Sequence, residues 1–139
     1  MIFLLGCIPQ SSFQTVMVTG QVQTEGSGPL QGELHYARSE MTDLLSHPGG
    51  YLETLSFDED GAFELTLAVP LGLGSGLAAY AWQDSDEDGL LCGLGADNEL
   101  SGADVVEQLD FEVDFDIWLT EPCAGAEVVI ASALGEGQL

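Results

Sequence analysis

Residues 109–119 have the sequence LDFEVDFDIWL, in which every odd position is apolar and positions 110, 112, 114 and 116 carry carboxylates. Successive side chains of a β-strand point to opposite faces, so this alternation predicts a strand with one face in a core and an acidic face in water. The predicted inward residues are Leu109, Phe111, Val113, Phe115, Ile117 and Leu119. We interpret the acidic row as a solvated face that blocks edge-to-edge association, with a platform for a basic partner as the alternative.

Five further stretches have the composition of strands, separated by turns rich in Gly, Pro and Asp. They are residues 16–22, 33–36, 51–57, 62–69 and 77–82. Residues 58–61, DEDG, predict a hairpin turn between the third and fourth strands. A short helix is expected only at residues 39–45, and residues 124–139 are expected to form a last strand or a tail. Strands without intervening helices predict an all-β sandwich and make a parallel sheet unexpected.

The charge of the chain excludes several classes of protein. Among 139 residues, 24 are Asp or Glu and Arg38 is the single Lys or Arg, giving a formal net charge of −23. A nucleic-acid binder needs basic residues to neutralise phosphates, and a polybasic membrane patch cannot be built from one arginine. The hydrophobic content of 45% argues against disorder and fits one domain.

The N-terminal residues 1–7, MIFLLGC, are too few to span a bilayer and are similar to the end of a secretory signal peptide. Residues 4–7, LLGC, resemble the bacterial lipobox, which predicts lipidation of Cys7 and an outer-membrane or cell-surface location, or otherwise a periplasmic or extracellular one. The alternative is an apolar strand that contains a buried cysteine. Residues 8–15 are then a linker and residues 16–123 the sandwich.

The other two cysteines, Cys92 and Cys123, follow predicted strand ends, where a sandwich gathers its loops. In an oxidising compartment we expect them to form a disulfide. The competing interpretation is that both thiols are free and buried as small hydrophobic groups.

One motif carries chemistry, the acidic loop at residues 84–89, DSDEDG. Alternate aspartates at Asp84, Asp86 and Asp88, followed by a glycine that permits a sharp turn, are typical of loops that bind Ca²⁺. The loop is not an EF-hand, because position 12 is Gly95 rather than Glu. We therefore expect a further ligand from Asp97, Asn98 or Glu99. The alternative is an ordinary acidic turn.

Four stretches together resemble a known family. They are VTGQV at residues 18–22, GPLQGEL at 28–34, DGAFELTL at 60–67 and LAAYAWQDSDEDG at 77–89. In this order they look like the carboxypeptidase-regulatory or transthyretin-like domains of bacterial surface lipoproteins. The resemblance implies an antiparallel, seven-stranded Greek-key sandwich of Ig-like or transthyretin-like type, without a catalytic centre, that serves as an accessory, adhesive or carbohydrate-contacting module.

The motifs of common catalytic sites, GxSxG, HExxH and the phosphate-binding loop, are missing from the sequence, so we do not expect an enzyme. We favour an exported, lipid-anchored sandwich with a structural calcium loop that binds a glycan or protein partner at the surface. The candidate aromatic residues for glycan contact are Tyr51, Tyr80, Trp82 and Trp118. The alternative is a structural subunit of an extracellular filament or envelope layer that self-associates through an edge strand.

Overall fold

The computed structural model describes residues 13–26, 28–37, 51–70, 76–92, 99–106 and 108–134. Within these ranges the chain forms eight strands and one helix. The elements are β1 (Phe13–Gln23), β2 (Leu30–Ala37), β3 (Tyr51–Leu55), β4 (Ala62–Pro70), β5 (Gly76–Gln83), β6 (Leu100–Val106), β7 (Glu112–Trp118), β8 (Glu121–Pro122) and α1 (Ala126–Leu134).

The strands form two sheets, one with the order β4-β1-β7 and one with the order β3-β2-β5-β6-β8. The all-β sandwich predicted from the alternation is confirmed. Two expectations about its strands are wrong. The central strand β1 pairs with β7 in parallel. The described residues form eight strands rather than seven, and β6 and the two-residue β8 were not expected from the sequence. The Greek-key connection stays a prediction.

Both sheets contribute to one apolar core between them. On β7 the side chains alternate as expected, with Val113, Phe115 and Ile117 buried and the acidic residues between them exposed. Phe111 departs from this pattern and is 72% exposed. It precedes the first residue of β7.

The acidic turn at residues 58–61 forms as predicted but does not make a hairpin. The Asp58 carboxylate accepts hydrogen bonds from the backbone N–H groups of Asp60 and Ala62 at 3.1 and 3.0 Å. The two flanking strands lie in different sheets, β3 in the five-stranded sheet and β4 in the three-stranded one. The turn therefore carries the chain across the sandwich.

The C-terminal segment corrects a further expectation, because residues 126–134 are helical rather than a strand or a tail. Helix α1 packs on the outer face of the five-stranded sheet, where Val129 and Ile130 meet Ala78 and Tyr80. Strand β5 is consequently buried on both faces, which explains its nearly continuous apolar sequence.

Several predicted features lie outside the described residues. They are the lipidation site Cys7, the linker up to residue 12, the short helix at residues 39–45, and the candidate ligands Asp97 and Asn98.

Candidate metal site

The acidic loop connects β5 to β6, and the pairing of these strands sets its geometry. Trp82 of β5 is opposite Ser101 of β6 in an antiparallel ladder, so Asp84 and Glu99 leave the ladder at the same end. The side chains of Asp84 and Glu99 are 2% and 1% exposed. Two buried carboxylates therefore stand at the two ends of one loop.

Asp84 holds the first turn of the loop together. Its Oδ2 accepts a hydrogen bond from the Gly89 N–H at 2.8 Å, and its Oδ1 accepts one from the Asp88 N–H at 3.2 Å. Gly89 has a φ of 79°, in the left-handed region that favours glycine. Burial raises the pKa of Asp84, but the hydrogen bonds to its carboxylate, first among them those from Gly89 and Asp88, together outweigh burial, and the pKa lies below its usual value.

Glu99 holds the rest of the loop from the opposite side. Its Oε2 accepts hydrogen bonds from the Ser85 N–H at 2.8 Å and the Asp86 N–H at 3.4 Å. Its Oε1 accepts one from the Cys92 N–H at 2.6 Å. Burial raises the pKa of Glu99, yet the hydrogen bonds from Cys92 and Asp86 lower it more, so the side chain is held as a carboxylate.

Asp86 and Asp88 complete a group of four carboxylates. One oxygen atom from each of Asp84, Asp86, Asp88 and Glu99 lies within 4.8 Å of the others, so the group could hold a metal ion. Asp86 and Asp88 are exposed to solvent. Desolvation in the loop, together with the neighbouring carboxylates of Asp88 and Glu99, raises the pKa of Asp86 to about 6. The folded loop thus disfavours the ionised form of the Asp86 side chain.

The disulfide predicted between Cys92 and Cys123 is confirmed and borders this group. The two sulfur atoms are 2.06 Å apart and the two Cα atoms 5.5 Å apart. The Cys123 N–H donates a hydrogen bond to the Glu99 carbonyl oxygen at 2.9 Å, while Cys92 binds the Glu99 side chain. Both half-cystines therefore contact the buried Glu99. The disulfide itself is consistent with an oxidising compartment.

Of the residues proposed from sequence as metal ligands, the structure brings together Asp84, Asp86, Asp88 and Glu99. The hydrogen bonds from the backbone N–H groups of Ser85 and Cys92 to Glu99 were not predicted from the sequence. No sequence pattern marks such contacts, because any residue type carries an N–H group.

The candidate glycan-contacting aromatics do not form one platform. Tyr80 is buried under α1, where its hydroxyl donates to the Ala124 carbonyl oxygen at 3.0 Å, so its proposed glycan contact is wrong. Trp82 packs partly buried beside it. Trp118 is 60% exposed on the other sheet.

The fold and the loop define an acidic β-sandwich with a candidate metal site next to a disulfide. No family model matches the chain, and a search of curated proteins and one of solved structures likewise returned no match. Among the described residues, α1 is too short to cross a membrane, and no helix meets the length and apolarity needed for that.

Proposed function

We propose that this protein is a non-enzymatic, exported β-sandwich, anchored through a lipid on Cys7, whose acidic loop binds Ca²⁺ and whose surface binds an external partner. One observation carries the calcium assignment: four carboxylates converge, two of them buried, in a part of the chain that contains no Lys or Arg. Buried charges in proteins are paired or coordinate metals. A cation in the loop supplies the missing positive charge.

The donor set of the group favours calcium. Ca²⁺ takes six to eight oxygen ligands at about 2.3–2.6 Å in a flexible geometry. Four carboxylates with one oxygen each within 4.8 Å of the others can supply part of such a set. Mg²⁺ needs its oxygens at about 2.0–2.1 Å in a near-ideal octahedron, and four protein carboxylates suit it less.

The hydrogen bonds already made by Asp84 and Glu99 are compatible with coordination. Each carboxylate oxygen has two lone pairs, so the two oxygens of Asp84 and Glu99 Oε1, which each accept one N–H, retain a lone pair for a metal, whereas Glu99 Oε2 already accepts two. The N–H groups also fix the direction of both side chains before the ion binds. We infer a structural role for the ion, because it would cross-link the end of β5 to the start of β6 beside the disulfide.

The first prediction concerns the stability of the folded protein in calcium. A ligand bound only by the native state adds RT ln(1 + [L]/Kd), so free Ca²⁺ at 100 times Kd should raise the free energy of unfolding by about 2.7 kcal/mol. Mg²⁺ should raise it less. Thermal and urea unfolding of chelator-treated protein with each ion measures both effects.

The Asp86→Asn variant tests whether Asp86 binds calcium or stabilises the fold without it. The substitution removes a charge that the folded loop opposes, so the metal-free variant should be at least as stable as the unaltered protein while its response to calcium falls. Glu59→Gln, in the acidic turn at residues 58–61, is the matched control and should leave the response unchanged. An equal calcium response in all three proteins, or none in the unaltered protein, would reject the calcium site.

The second prediction concerns Cys7. With its full export signal, the protein should fractionate with membranes, and Cys7→Ser should release it into the soluble exported fraction, because a single lipidated residue supplies the anchor. Cys92→Ser serves as the control, since it removes a cysteine that carries no lipid in this proposal. Identical fractionation of the unaltered and Cys7→Ser proteins would contradict the anchor.

A further inference from the structure

Trp118 is exposed although its backbone is held on both sides. It lies at the last position of β7, opposite Gln23 of β1, and the next residue donates its N–H to the Gln23 carbonyl oxygen at 3.1 Å. On the other side, a Cβ added at Gly102 of β6 would overlap the Trp118 carbonyl oxygen, so the glycine is what allows β6 to approach. The backbone position of Trp118 is therefore fixed.

The indole itself is also oriented. Its Nε1 donates a hydrogen bond to Asp116 Oδ2 at 3.1 Å, and Gln23 Nε2 donates to Asp116 Oδ1 at 3.1 Å. These bonds fix one edge of the ring, while 60% of the side chain remains accessible to solvent. An immobilised, exposed indole loses little conformational entropy when a ligand covers it.

Two grooves meet at Trp118. One, of about 510 Å³, is lined by the polar side chains of Gln23, Thr24 and Thr120 together with the indole. The other, of about 220 Å³, lies between the indole and α1, where Ser132 and Glu121 line it. Amide, hydroxyl and carboxylate groups thus surround an aromatic surface on two sides, a combination that suits a ligand with an apolar face and many hydroxyl groups.

Charge narrows the class of ligand. The chain carries −23 and its described part holds no Lys or Arg, so an anionic ligand such as a phosphate, a sulfated glycan or a uronic acid polymer is repelled. Beside the indole, the larger groove presents the uncharged amide and hydroxyl groups of Gln23, Thr24 and Thr120, which suit a neutral ligand. A cationic peptide is the competing ligand, and the salt test below distinguishes it.

We propose that Trp118 is the stacking platform of a binding site for a neutral saccharide. The C–H face of a hexopyranose or pentopyranose ring lies on the indole, and its hydroxyl groups bond to the side chains of the two grooves. This inference deepens the surface-binding role proposed above and rests on it, but it is independent of the calcium loop.

Calorimetric and fluorescence titrations of the calcium-loaded protein with cellohexaose, xylohexaose and maltohexaose test the proposal. We expect at least one of these neutral oligosaccharides to bind and Trp118→Ala to weaken that binding by about tenfold or more, a loss expected of a central aromatic contact. Trp118→Phe keeps an aromatic ring and should weaken it less. Phe111→Ala, which removes an exposed aromatic before the start of β7, is the matched control and should bind normally.

Three results would overturn the proposal: no binding of any of the three oligosaccharides at millimolar concentration, binding that Trp118→Ala leaves unchanged, or binding of a lysine-rich peptide alone that about 0.5 M salt abolishes. The calcium dependence of the melting temperature, measured on the same proteins, reports the metal site separately. If the protein binds no saccharide but still responds to calcium, the saccharide site at Trp118 is refuted and the calcium site is not.

Discussion

Two tyrosine hydroxyls differ in their surroundings although both side chains are buried. The Tyr80 hydroxyl donates to the Ala124 carbonyl oxygen, whereas the Tyr36 hydroxyl finds no hydrogen-bond partner among the described residues. Burial raises the pKa of Tyr80 to about 12, and it also raises the pKa of Tyr36. Both phenols therefore stay protonated throughout the neutral pH range. Only the Tyr80 hydroxyl stabilises the fold through a hydrogen bond.

This difference predicts opposite responses to removal of the hydroxyl. Tyr80→Phe should lower the free energy of unfolding by about 1 kcal/mol, because a hydrogen bond to the segment before α1 is lost. Tyr36→Phe should leave it unchanged or raise it, because a buried hydroxyl without a partner costs free energy that phenylalanine avoids. Urea unfolding of both variants in calcium measures the difference, and a larger loss in Tyr36→Phe would contradict the assignment.

At the scale of single residues, the candidate metal ligands were predictable only in part. Asp84, Asp86 and Asp88 were identified because their spacing is local. Glu99 was one of three alternatives, since nothing in residues 97–99 shows which carboxylate returns to the loop. The register of β5 with β6 brings Glu99 next to the loop, and a register is a property of two strands.

Among the elements, β7 was the easiest to predict and β6 was missed. The sequence of β6, LSGADVV, lacks a continuous apolar alternation, and Gly102 within it weakens a strand pattern. In the folded protein that glycine admits the Trp118 backbone, and β6 is held by β5 on one side. The Asp104 carboxylate of β6 also accepts the Asp116 N–H of β7 at 2.9 Å, which satisfies a donor at the sheet edge.

Helix α1 shows the reverse case, in which local preference gave the wrong element. Its sequence, AEVVIASAL, contains a β-branched run that favours a strand. Val129 and Ile130 are nevertheless buried against Ala78 and Tyr80 on the outer face of the five-stranded sheet. The gain from covering that apolar face exceeds the small difference in propensity.

For the molecule as a whole, the disulfide links the acidic loop to the segment before α1. Its half-cystines are 31 residues apart in sequence, so its removal by Cys92→Ser with Cys123→Ser should lower the free energy of unfolding by roughly 3–4 kcal/mol. Calcium affinity should fall as well, because Cys92 N–H binds Glu99 and the loop that holds it becomes freer.

Unfolding and calcium titrations with and without reductant measure these two effects. The double serine variant is its own control, because reductant should not change it further. Undiminished calcium affinity in the reduced protein would show that the disulfide and the loop act independently.

The sequence by itself determined what depends on neighbouring residues: the strands whose side chains alternate, the acidic turn and the aspartate loop. Only the tertiary structure decided which strands meet, that β1 and β7 run parallel, that β3 and β4 belong to different sheets, and that Tyr80 is covered while Trp118 is not. The physical reason is the distance along the chain over which each interaction acts. Side-chain periodicity acts over a few residues, whereas strand pairing and burial depend on contacts between segments that are distant along the chain.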